Sequence, residues 1–66
     1  MLVIRKVNGY ELNVGDLMAQ GLFNITNDET KEISLWFDSD TTDELLAMSD
    51  EEFEDEAKEM CKLGNI

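Results

Sequence analysis

Hydrophobic and polar positions follow two different periods along this chain, with the change falling near residue 38. Leu2 to Val7 is rich in branched residues and reads as a strand, and Asn8-Gly9 is a strong hairpin signal because both residues accept positive φ. Tyr10 to Val14 returns as a second strand, with Tyr10, Leu12 and Val14 on one face and Glu11 and Asn13 on the other. Gly15 breaks the pattern, Asp16 is placed to cap a short turn through Leu17 to Gln20, and Gly21 ends that turn. Leu22 to Thr26 reads as a third strand and Asn27-Asp28-Glu29-Thr30 as a polar turn. Lys31 to Phe37 then forms a fourth strand, pointing Ile33, Leu35 and Phe37 inward and Glu32, Ser34 and Trp36 outward.

Beyond Phe37 the period becomes helical. Thr41 with Glu44 forms a capping-box pattern for a short helix through Met48, with Leu45 and Leu46 facing the sheet. Ser49 with Glu52 forms a second capping box, opening a helix from Ser49 to Leu63 with a bend at Ser49. Met48 and Phe53 are spaced as a hydrophobic staple, and Gly64 is expected to supply a left-handed stop. Phe53, Ala57, Met60 and Cys61 share one face, the spacing of a helix laid on a core. The expected fold class is α+β: a small antiparallel sheet of about four strands in two hairpins, with a C-terminal acidic amphipathic helix packed on one face. Residues 1–66 read as a single small domain, with 1–37 a β-rich platform and 38–66 an acidic loop and helix. At 66 residues such a domain buries about 60% of its unfolded surface. It is therefore expected to be marginal or oligomeric, a homodimer being one form.

Charge changes the picture more than any motif. The chain holds 5 Lys and Arg against 16 Asp and Glu, a net charge of −11, outside the range of roughly 2 to 8 in magnitude that serves a small soluble domain. Residues 1–37 carry three cations and five acids, whereas residues 38–66 carry two cations and eleven acids. A uniformly acidic surface would suit high salt, but an asymmetric one points to interaction. On the long helix Glu54 is spaced to pair with Lys58, and Glu59 with Lys62. Glu51, Glu52 and Glu56 have no cation at helical spacing, Asp55 has only Lys58, which Glu54 also claims, and the four repel one another.

Candidate chemistry is sparse. Asp38-Ser39-Asp40-Thr41-Thr42-Asp43-Glu44 resembles a calcium loop in composition only: Asp43 stands where the turn needs glycine and Ser49 where a bidentate Glu belongs. The chain has no histidine, no glycine-rich phosphate loop and no nucleophile elbow, so an enzyme and a bound cofactor or metal are not expected. Cys61, the single cysteine, falls on the apolar stripe and reads as a buried thiol rather than a reactive or metal-binding one. Direct binding of nucleic acid is disfavoured by charge. With no apolar run long enough to cross a bilayer and no signal-peptide pattern, the expectation is a cytoplasmic protein without a membrane partner.

Binding to a protein remains. Carboxylates four residues apart on a helix lie about 6 Å apart along its axis, close to the phosphate spacing along a single strand. The first expectation is therefore a nucleic-acid mimic that blocks the DNA- or RNA-binding surface of a basic protein. Its contact residues would be Glu51, Glu52, Asp55, Glu56 and Glu59, extended by Asp38, Asp40, Asp43 and Glu44. In size and acidity the chain is similar to the small mimics and anti-defence proteins that phages encode against restriction, CRISPR, nucleoid or repair proteins. That resemblance implies action in a host cytoplasm. The alternative is a structural or regulatory subunit that docks through its sheet face and Trp36, with the acids merely solvated.

Overall fold

A computed structural model describes residues 2–15 and 21–64, so the short turn expected from Asp16 to Gln20 lies outside the described residues. The protein is α+β, a three-stranded antiparallel sheet followed by two helices. Strands β1 (Leu2–Val7) and β2 (Tyr10–Val14) are joined by Asn8 and Gly9, whose φ angles of 47° and 88° make the left-handed two-residue turn that matches strand twist. Val7 faces Tyr10 across this turn, and a bulge between Val3 and Arg5 bends the outer strand. Strand β3 (Phe23–Asn27) pairs with the other side of β2, setting Tyr10 opposite Asn27, Leu12 opposite Ile25 and Val14 opposite Phe23. The sheet order is thus β1-β2-β3.

Because alternate residues point to opposite faces, this register gathers Tyr10, Leu12 and Ile25 on one side. Helices α1 (Ser39–Ala47) and α2 (Asp50–Gly64) supply Leu45, Phe53, Ala57 and Cys61 to the same core. Phe53 is fully buried, and truncating such a ring to alanine costs about 3 to 5 kcal/mol. The opposite sheet face carries Asn13 and Asn24, both buried, with Asn13 Nδ2 donating to Asn24 Oδ1 at 3.3 Å and Thr26 Oγ1 at 3.1 Å.

The expected fourth strand is not a strand. Residues 33–37 run along the free side of β3 with only two isolated bridges, Phe23 to Phe37 and Thr26 to Ile33. Between them this segment has one residue more than β3, as in a bulge. Ser34 is the cause that can be named: its Oγ accepts the Ile25 amide at 2.8 Å in the place a backbone carbonyl would take, and donates to the Leu35 carbonyl at 2.9 Å. The alternation inverts as a result. Ser34 is buried while Ile33 and Leu35 stand in solvent, contrary to the inward orientation expected of them; Phe37 alone keeps its inward lean. Ahead of the segment, Asn27 Oδ1 accepts the amides of Glu29 and Thr30 at 2.8 and 3.0 Å, and Lys31 turns the chain with φ 63°.

The start of the first helix and the end of the last depart from expectation. The N-cap of α1 is Asp38, whose Oδ1 accepts the Thr41 amide at 3.1 Å, so Thr41 lies inside the helix rather than capping it. Starting earlier places Thr42 and Leu45 on the buried side, three residues apart, and turns Leu46 outward at 46% exposure. Helix α2 begins as read: Ser49 Oγ accepts the Glu52 amide at 3.3 Å and donates to the Glu52 carboxylate at 3.3 Å. Gly64, however, is helical, without a left-handed φ. Its role is close approach, since a Cβ there would lie 2.8 Å from Ser34 Cα and collide with the Ile33 carbonyl oxygen.

Candidate functional site

Capping fixes where the carboxylates point. With Thr42 and Leu45 of α1 and Phe53, Ala57 and Cys61 of α2 turned inward, the 3.6-residue period sends the remaining positions to solvent. Asp38, Asp40, Asp43 and Glu44 at α1, and Glu51, Glu52, Asp55, Glu56 and Glu59 on α2, are all exposed. Glu51, Asp55 and Glu59 rise at four-residue intervals, as do Glu52 and Glu56. Asp50, Glu51 and Glu52 in the first turn of α2 are favoured by the positive end of the helix. Asp55, Glu56 and Glu59 lie beyond that help.

Few cations offset them. Lys62 Nζ reaches Glu59 at 3.8 Å, the expected pair. Glu54 instead accepts a hydrogen bond from Asn8 Nδ2 at 2.9 Å, tying α2 to the β1-β2 turn. Among the described residues no cation pairs with Glu51, Asp55 or Glu56. Two of the platform's three cations are used elsewhere. Lys6 lies 3.8 Å from Asp28, and Arg5 is drawn under the helices, a role that sequence reasoning missed. Its Nη1 donates to the Leu45 carbonyl at 2.6 Å, its Nη2 to Asp50 Oδ1 at 3.0 Å, and its guanidinium sits 4.7 Å from the centre of the Phe53 ring. A cation on the last carbonyls of α1 and a carboxylate in the first turn of α2 are both favoured by helix polarity, so one side chain holds the junction of the two helices onto β1.

Trp36 is 47% exposed. It lines a shallow groove with Ser34, Leu35, Phe37, Met60 and Leu63. Sequence reasoning singled out Trp36 but not Leu35 or Leu63, because only the bulge at Ser34 turns Leu35 outward and only the approach of Gly64 to Ser34 brings Leu63 alongside.

Two groups have displaced acidities. Burial pushes the Cys61 thiol up, reinforced by the charge of Glu32; its Sγ faces the Ile25 carbonyl at 3.8 Å. The Tyr10 hydroxyl is also raised by burial and by Glu32, which together outweigh its hydrogen bond with Asn27. Both shifts favour the neutral form, and a thiol held neutral in a core is a poor nucleophile. Among the described residues no three acidic or thiol side chains converge to hold a metal ion, and no helix is long and apolar enough to cross a membrane. Comparison with protein-family models, curated proteins and solved structures gives no significant match.

Proposed function

We propose that the chain is a small acidic inhibitor that acts as a nucleic-acid mimic, occupying the DNA- or RNA-binding surface of a basic host protein in the manner of phage anti-defence or host-takeover proteins. The observation that carries this reading is the separation of charge: ten carboxylates, Asp50 among them, stand exposed along two successive helices and at their start, while Arg5 is withdrawn beneath them. A groove built for phosphates accepts regularly spaced carboxylates, and uncompensated charge steers the encounter. The partner is then a nucleic-acid-binding protein, with no direct contact to nucleic acid, no cofactor and no catalytic step.

The test is a titration against a partner captured from host lysate at low salt, with a labelled oligonucleotide as competitor. Binding is expected to weaken steeply with salt and to exclude the oligonucleotide. Asp55→Lys with Glu56→Lys is expected to cost about 1 to 3 kcal/mol of affinity, mainly through slower association. Binding indifferent to salt and to the oligonucleotide would remove the mimic. A second reading, a structural or regulatory subunit docking through its sheet face and Trp36, draws support from the exposure of Trp36 beside Leu35. There Trp36→Ala is expected to cost about 2 kcal/mol or more while the charge reversals matter little.

A further inference from the structure

The groove beside Trp36 has features that a solvated surface does not require. Leu35, Trp36 and Leu63 are 65%, 47% and 59% exposed and line one concavity together with Met60. Exposed apolar residues standing singly need no account, whereas several gathered in one groove mark an interaction site. The space is about 110 Å³. An apolar cavity of about 150 Å³ takes up benzene, so this one suits a single aliphatic side chain or the leading edge of a ring.

The walls are fixed in advance. Phe37 exchanges two backbone hydrogen bonds of 2.9 Å with Phe23, and Met60 packs on the core. Gly64 lets the end of α2 lie against Ser34. Charge then narrows the choice of occupant. Glu56 and Glu59 precede Met60 and Leu63 by four residues, so they stand one turn, about 6 Å, along the same flank of α2; Glu52 is one turn further. Glu59 shares Lys62, whereas Glu56 pairs with no cation among the described residues. On the opposing segment, Lys31, Glu32 and Asp38 are the charged residues.

We propose that this groove receives one aliphatic or aromatic side chain from a partner segment flanked by Lys and Arg, which contact Glu52 and Glu56. This rests on the reading of the acidic face as an electrostatic contact surface and names the second half of what that surface binds. A second copy of the chain would bring another net −11 against the same acids, and an acidic segment would be repelled. A cationic segment with an apolar anchor gains from both features. Charge governs its approach, and the seated side chain governs how long it stays.

The single tryptophan of the chain reports on the groove directly. Two twelve-residue Lys/Gly peptides of equal charge, one with a central leucine and one with a central serine, are titrated into the intact protein, following Trp36 emission and the anisotropy of labelled peptide. The leucine peptide is expected to bind about tenfold or more tighter and to shift the emission to the blue. Leu63→Ser, an exposed position, is expected to abolish that preference, while Glu56→Lys weakens both peptides alike. Equal, salt-sensitive binding of the two peptides overturns the groove assignment and leaves the acidic-face reading standing. A leucine preference untouched by salt and by Glu56→Lys overturns the acidic-face reading, and with it the cationic partner. Binding of neither peptide overturns both, and a blue shift driven by protein concentration alone gives the groove to a second copy.

Discussion

At the junction of the helices Arg5 is 17% exposed in its side chain and meets a carbonyl, a carboxylate and an aromatic face at set distances. On the outer faces of the same helices, Glu51, Asp55 and Glu56 stand in solvent with no cation paired to them among the described residues. The two regions use charge in opposite ways. Under the helices the Arg5 guanidinium and the Leu45 carbonyl are partly desolvated, which strengthens that contact, while Asp50 stays largely in water. Outside, water screens single pairs to little value, and the carboxylates act together as a field that opposes compaction and attracts cationic surfaces. A charge within the first region is expected to matter for folding, and a charge within the second for binding.

Removing Arg5 tests the first half of that contrast most severely. Arg5→Ala is expected to lower stability by about 3 kcal/mol, the sum of a charge-assisted hydrogen bond and a favourable helix-end interaction, as measured by chemical denaturation. Arg5→Lys is expected to fall between, since a point charge cannot serve the Leu45 carbonyl and Asp50 together. A loss below 0.5 kcal/mol would erase the distinction between the two regions.

Gly64→Ala probes the contact that joins the acidic helix to the 33–37 segment. Helix propensity favours alanine by about 1 kcal/mol, but the new methyl meets backbone at Ser34 and Ile33, and overpacking costs about 1 to 3 kcal/mol. A net destabilisation of about 1 kcal/mol is expected, together with a change in Trp36 emission as the groove opens.

Smaller in effect, added salt is expected to raise the melting temperature by a few degrees, because screening relieves repulsion over distances near the Debye length, about 10 Å at 0.1 M. Glu51→Gln with Glu56→Gln is expected to flatten that dependence and leave the fold intact. A melting temperature that falls with salt would mean the outer carboxylates are stabilising rather than repelling.

The smallest effect expected is alkaline. Cys61 and Tyr10 have acidities raised above their ordinary values of 9.0 and 10.0. The unfolded chain therefore loses these protons at lower pH than the folded one. Stability is unaffected by them below about pH 9 and declines as pH rises through the raised values. Cys61→Ala is expected to remove part of the alkaline slope in melting curves.

Legibility varied with how locally each feature is encoded. The Asn8-Gly9 hairpin, the Ser49 cap and the Phe53-Ala57-Cys61 stripe depend on neighbours within a few residues, and each stands as read. The fourth strand failed because alternation assumes an unbroken ladder, whereas Ser34 offers its hydroxyl to Ile25 and shifts the register by one residue. Gly64 was read as a stop when its actual neighbour lies thirty residues away at Ser34. Nothing beside Arg5 in the sequence signals a partner; its contacts at Leu45 and Asp50 are 40 and 45 residues distant.

By itself the sequence determined the α+β class, the N-cap and apolar stripe of the long helix, and the concentration of acids after residue 37. These follow from period, local hydrogen bonding and counting, which need no third dimension. Tertiary structure decided that the lone internal arginine is spent beneath the helices, that Leu35 and Leu63 join Trp36 in one groove, and that Met60, one helical turn from Glu56, lines it. The physical reason is common to all three: each depends on which backbone polar groups and which side chains are brought together across more than twenty residues. A hydrophobic pattern constrains faces but does not fix such pairings.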